Sequence, residues 1–130
     1  MIDFRVTQSE ETHWEIRSVD GGLVTGAQCL RRWTDCYCVG ILHGLVVIPD
    51  RRRQGLATAL VERAETLAAQ NGIALLYSTV IASNTASRGT LEKRGFRVVS
   101  ECHNPKSGND LVVYAKNIPN AIYVPRESEE

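Results

Sequence analysis

Leu45-Val46-Val47-Ile48 is an apolar, largely β-branched run, and Pro49 stops it. Arg51, Arg52 and Arg53 follow, then Gly55, and a helical repeat starts at once. A strand that ends in a basic, glycine-bearing turn and passes directly into a helix builds an anion site. The first N–H groups of a helix have no partner inside it and carry the positive end of its dipole. A phosphate placed there meets several donors. Gly55 removes the Cβ that would hold a bulky anion away, and Ala57 keeps the next turn small. The segment predicts a diphosphate-bearing ligand seated between a strand end and a helix start. It is not a P-loop, because no Gly-Lys-Ser/Thr follows Gly55. It is not a dinucleotide fingerprint, which needs three glycines in Gly-x-Gly-x-x-Gly order.

The elements that must position this turn follow from periodicity. Ile2, Phe4 and Val6 alternate with polar residues, as do residues 13–18 with Trp14 and Ile16 on one face. Asp20-Gly21-Gly22 is a hairpin turn between residues 13–18 and a strand from Leu23 to Arg31. Thr34-Asp35 turns the chain into a strand from Tyr37 to Ile48. From Gln54 to Gln70 the period becomes helical, with Leu56, Leu60, Ala64 and Leu67 on one stripe, and Asn71-Gly72 ends it. Ile73 to Ile81 is nearly all apolar or β-branched and is expected to be a central strand buried on both faces. A second helix spans Asn84 to Arg94, and strands over Phe96–Cys102 and Leu111–Lys116 close the chain. Residues 1–130 read as a single domain, with a loosely held tail from about Ile118.

The turn itself, Val47-x-Pro49 then Arg52-x-x-Gly55-x-Ala57, resembles the coenzyme A pyrophosphate loop of the GNAT superfamily of N-acetyltransferases. A second stretch, Asn84 to Phe96, is similar to the superfamily's Asn-x-x-Ala-x-x-Leu-Tyr-x-Lys-x-Gly-Phe signature. Asn84, Lys93, Gly95 and Phe96 match in register, while Ser87, Thr90 and Leu91 depart from it. The resemblance covers residues 39–99 and implies an α/β (α+β) fold, a mixed, mostly antiparallel twisted sheet of about seven strands with two main helices. The helix pair that members usually carry after the first strand is expected to be missing, because only Thr7 to Thr12 separates the first two strands.

What the resemblance implies for chemistry is transfer of an acetyl group from acetyl-CoA to a primary amine by direct attack. The pantetheine arm would pair with Leu45, Val46 and Val47, and Asn84 would bond it from the other side. The pyrophosphate would meet the Arg52 motif and the N–H groups of Arg53, Gln54, Gly55, Leu56, Ala57 and Thr58. His43, four residues before Val47, is the candidate base, since an imidazole titrates near neutrality; the plainer alternative is a strand histidine bonded to a carbonyl. Leu91 stands where many members have a tyrosine that protonates the leaving thiolate, and leucine donates no proton. Tyr77 and Tyr114 are candidate replacements, or buried packing residues. An acyl-CoA-binding module with weak or no transfer is therefore the alternative function.

Composition bounds the partners. Fifteen basic residues balance fifteen acidic ones, which argues against a general nucleic-acid binder and directs the arginine run to cofactor phosphates. No apolar run reaches the roughly 18 residues of a membrane helix, and Met1 to Arg5 lacks a signal-peptide layout, so a cytoplasmic location is expected. Cys29, Cys36, Cys38 and Cys102 have no zinc spacing; no metal is expected, and they read as small apolar strand residues. Trp14 and Trp33 either line an acceptor pocket or pack the sheet. The acceptor stays open between small amine, aminoglycoside, peptide N-terminus and lysine side chain, and a homodimer that completes the acceptor side fits the short N-terminal region.

Overall fold

The computed structural model describes residues 2–125. The chain runs β1 (Ile2–Glu10), β2 (His13–Asp20), β3 (Leu23–Arg32), β4 (Val39–Val47), a 3-10 turn (Pro49–Arg51) and α1 (Leu56–Gln70). It continues with β5 (Leu75–Ile81), α2 (Thr85–Lys93), β6 (Arg97–His103) and β7 (Asp110–Asn117). The strands form one seven-stranded sheet in the order β1-β2-β3-β4-β5-β7-β6. All neighbours are antiparallel except β4 and β5, which are parallel. Two residues, Glu11 and Thr12, join β1 to β2, so the expected lack of a helix pair holds.

Alternation along the strands decides which face is covered. Trp14 and Ile16 of β2, Leu30 of β3, Leu42 of β4, Leu76 and Val80 of β5, and Val112 and Tyr114 of β7 are buried in one cluster. The α1 stripe Leu56, Leu60, Val61, Ala64 and Ala68 joins that cluster, and so do Leu91 of α2 and Phe96. Both helices therefore pack on the same face of the sheet. The other face carries no helix. This changes the reading of β5: it starts at Leu75 rather than Ile73, and it is buried on one face only. Leu76, Ser78 and Val80 lie under the helices, whereas Tyr77 is half-buried and Thr79 exposed. The apolar run matched a doubly covered strand, but no helix among the described residues covers its second side.

One ion cluster ties the helices together. Glu65 of α1 is buried and takes a forked bond from Arg94, at 2.9 and 3.3 Å, at the end of α2. Lys116 of β7 bonds the same carboxylate and also the Arg94 carbonyl. The segment after β7, expected to be loose, is docked as far as Val124. The Ile118 N–H donates to the Ala74 carbonyl and the Ile122 N–H to the Ala69 carbonyl. The Val124 N–H donates to the Tyr37 hydroxyl. The final residues 126–130 of that expected tail lie outside the described residues. The cysteines divide: Cys29 lies in β3 and Cys102, exposed, in β6, as expected, whereas Cys36 and Cys38 sit in the exposed turn before β4 with sulfurs 3.7 Å apart.

Register within β3 and β4 contains the feature that shapes the site. Between the pairs Cys29/His43 and Ala27/Val46, β3 uses one residue, Gln28, and β4 uses two, Gly44 and Leu45. This is a β-bulge, and Gly44 takes the left-handed conformation it needs, with φ at 68°. Gln28, 2 % exposed, donates its amide to the His43 carbonyl at 2.7 Å and so holds the bulge from below. A Cβ on Gly44 would meet nothing closer than 3.6 Å, so Gly44→Ala costs through backbone conformation alone. Urea unfolding is expected to show a loss of about 1–2 kcal/mol. Glu65→Ala leaves Arg94 and Lys116 facing each other without their carboxylate. The expected loss by the same measurement is about 2 kcal/mol, below the ~3–5 kcal/mol of a fully buried pair because the Arg94 side chain is 28 % exposed.

Candidate functional site

The parallel ladder between β4 and β5 runs from Val39/Leu75 to Leu42/Ser78 and stops. The Ser78 hydroxyl closes it by donating to the Leu42 carbonyl at 3.2 Å. Beyond that point β4 continues to Val47 and β5 to Ile81, each still held on its outer side by β3 and β7. The inner edge of β4 from His43 to Val47 is thus not paired with β5. An open strand edge with a fixed neighbour accepts an extended ligand as an added strand. Leu45, Val46 and Val47, expected to bind the pantetheine arm, all lie on this edge. Leu45 packs on the core and Val47 is buried, while Val46 is exposed.

The edge leads straight into the basic turn. The three arginines, alike in sequence, divide their tasks. Arg51 bonds Asp20 of the β2–β3 hairpin at 2.5 Å, and this bond holds the Asp20 carboxyl below its usual pKa. The Arg52 side chain donates to the Val47 carbonyl at 3.0 Å and fastens the turn to its own strand. Arg53 has no hydrogen-bond or ion-pair partner among the described residues and takes a left-handed φ of 64°. The Ile48 N–H donates to the Thr25 carbonyl at 2.9 Å, which anchors the start of the turn. Arg53, Gln54 and Gly55 form the exposed crest.

Helix α1 begins two residues later than Gln54 suggested. Gly55 is its N-cap at φ 77°, without a capping side chain, and no acidic residue occupies the first turn. The first intrahelical bond reaches the Gly55 carbonyl from the Ala59 N–H at 3.0 Å. The N–H groups of Leu56, Ala57 and Thr58 precede it and are left for an outside acceptor. Space around Gly55 is open: an added Cβ would meet nothing within 4 Å. Leu56 is buried and fixes the helix start to the core, while Ala57 and Thr58 are half-buried.

Asn84 follows the C-terminal end of β5, at the same end of the sheet as the turn. Its Oδ1 accepts the Ser87 N–H at 3.2 Å and caps α2, and the residue is exposed. His43 is the first β4 residue past the last β5 pair, exposed on the helix-free face and opposite Cys29. Desolvation by its surroundings, then the positive charge of His13 and Arg31, holds its pKa below 6.5. Leu91 is 3 % exposed and part of the core. Of the two candidate acids, the Tyr114 hydroxyl is spoken for: it donates to Glu92 at 2.5 Å and accepts from Arg88 at 2.9 Å, on the helix face. Burial and the Glu92 bond raise its pKa. Tyr77 lies on the open face. Trp14 packs in the core, and Trp33 is exposed beside Tyr77. The residue that sequence reasoning missed is Gln28; the glycine inside β4, Gly44, was the signal for a bulge that needs support.

A family model described as "Acetyltransferase (GNAT) family" matches residues 2–96. No curated protein matches by sequence. Among solved structures, the chain is similar to the ribosomal-protein-S18-alanine N-acetyltransferase from Escherichia coli. Identity is 25 %, coverage 92 % of this chain and 75 % of that one, and the TM-score 0.73. A GNAT family acetyltransferase from Elizabethkingia anophelis, solved with acetyl-CoA bound, aligns at 12 % identity over 89 % of this chain and 97 % of its own, with a TM-score of 0.79. An acetyltransferase of the GNAT family from Streptococcus pneumoniae aligns at 21 % identity over 85 % and 69 %, with a TM-score of 0.73. A sheet opened between β4 and β5, a glycine-capped helix at the end of that opening and the family match together establish that this chain belongs to the GNAT acetyltransferase family.

Proposed function

We propose that this chain is an N-acetyltransferase that moves an acetyl group from acetyl-CoA to a primary amine. The observation that carries the proposal is the continuity of two recognition surfaces: an unpaired strand edge at His43–Val47 and, directly after it, unpaired helix-start donors at Leu56–Thr58. Acetyl-CoA is an extended diamide arm joined to a diphosphate, and both parts find their complement in that order. The arm pairs with Leu45, Val46 and Val47, and the diphosphate takes the N–H groups from Arg53 to Thr58. Arg53 supplies the uncommitted charge, and Arg52 acts by holding the turn to Val47. Asn84, with its oxygen accepting at the cap, has its Nδ2 donors left for the arm.

In this reading the acceptor nitrogen gives its proton to His43 and attacks the thioester carbonyl, and the C–S bond breaks to release coenzyme A. The lowered pKa keeps the imidazole neutral and able to accept a proton at pH 7. With Leu91 buried, solvent at the open face protonates the thiolate. That same buried leucine favours the second reading, a module that holds acyl-CoA with little transfer.

Calorimetry with CoA and thiol-release assays with a panel of amines test both. Gly55→Glu places a carboxylate at the helix start and is expected to weaken CoA at least about tenfold; an unchanged Kd rejects the site. Amine-dependent thiol release supports transfer, and CoA binding without it supports the module. For the base, protonation of His43 removes activity, so kcat/KM is expected to hold as pH falls to 6.5 and to decline only below it. His43→Ala is expected to cost about 10²-fold and to abolish that acidic limb; an unaltered profile rejects His43.

A further inference from the structure

The helix-free face carries a cavity of about 450 Å³, within the size range of small-ligand sites. Val39 and Ile41 of β4, Tyr77 and Thr79 of β5 and Val113 of β7 line it, and Trp33 walls it from the turn after β3. Two features place it in the chemistry. Ser78, where the β4–β5 ladder ends, also lines the cavity, so one end opens at the split. His43 lies two residues beyond Ile41 and before the bulge, so both project from the same face of β4.

The lining determines what fits. It contains no carboxylate and no ammonium group. Of the charged residues on this face, Arg31 pairs opposite Ile41 on β3, and Glu15 stands on β2 opposite Cys29 with its carboxylate bonded to Arg17. A polycationic acceptor would find no counter-charge in the lining and a guanidinium beside it. An amine attached to an aromatic or branched apolar group buries that group against Trp33 and Tyr77. The same positive, apolar surroundings favour the neutral form of the nitrogen that attack requires.

We propose that this cavity is the acceptor site and that it selects primary amines bearing an aromatic or branched apolar group, with the nitrogen at the β4–β5 split beside His43. The proposal rests on the acyl-transfer reading above. The cavity opens to solvent along the uncovered face, whereas the acyl group arrives through the slot between strands, so the acceptor rather than a long acyl chain is its occupant.

The test pairs turnover with a direct binding readout. With acetyl-CoA, kcat/KM for 2-phenylethylamine and isoamylamine is expected to exceed that for spermidine and ethanolamine at least about tenfold. Val113→Glu, at a half-buried floor position, is expected to remove that preference while leaving the Kd for CoA unchanged. Trp33 is 47 % exposed and Trp14 is buried, so 2-phenylethylamine is expected to shift tryptophan emission in the wild type and not in Trp33→Phe. Preference for spermidine or ethanolamine, unaffected by Val113→Glu, overturns the proposal. Preference for hexanoyl-CoA over acetyl-CoA without discrimination among amines assigns the cavity to the acyl chain and overturns it too. So does a stable dimer in light scattering whose Trp33 emission ignores the amine. If CoA itself does not bind, the acyl-transfer reading fails, and the Trp33 titration still decides what the cavity holds.

Discussion

An extra residue in one strand sets the geometry of the whole molecule. Where Gly44 and Leu45 stand opposite Gln28 alone, β4 changes direction, and its ladder with β5 ends at Leu42/Ser78. Backbone donors and acceptors that a continuous sheet would satisfy internally are instead offered to a ligand. Such an edge closes or aggregates unless both strands are held from outside. Here β3 holds β4 as far as Val47 and β7 holds β5 as far as Ile81, so each side of the gap is paired from outside. The buried Gln28 amide is the polar device beneath it, satisfying the His43 carbonyl at the point where the ladder is interrupted.

Below the gap, a short turn is fixed by contacts to three different places. Arg51 reaches the β2–β3 hairpin, Arg52 the end of β4, and the Ile48 N–H the Thr25 carbonyl. Half-exposed ion pairs such as Arg51–Asp20 contribute little to overall stability. Their consequence here is positional: they leave the crest from Arg53 to Gly55 outside, in left-handed conformations at Arg53 and Gly55, with the helix start behind it. Anion binding by main-chain donors requires this ordering in advance, because a disordered turn would lose the affinity its donors provide.

The two faces of the sheet differ for a topological reason. The crossovers β4-α1-β5 and β5-α2-β6 proceed in one direction across the sheet, and their helices join one buried cluster. With only Glu11 and Thr12 between β1 and β2, nothing in residues 2–125 covers the opposite side. Leu91 illustrates the consequence. A side chain at that place on α2 belongs to the core, and leucine fills it, so no proton donor stands there.

Local structure was readable from the residues alone. The turn after Pro49, the change from a twofold to a helical period just beyond it, the hairpin at Asp20-Gly21-Gly22 and the lack of room for helices after β1 all depend on neighbours in sequence. The extent of pairing did not. Where the β4–β5 ladder stops, which arginine is left for a ligand, why β5 is bare on one side and why Cys36 and Cys38 leave the strand are set by residues far apart in the chain. Gln28 with His43, Asp20 with Arg51 and Tyr37 with Val124 are such pairs. Periodicity reports which face of a segment is apolar. Only the folded sheet decides whether anything lies against it, since that depends on register and crossover direction, which no single segment encodes.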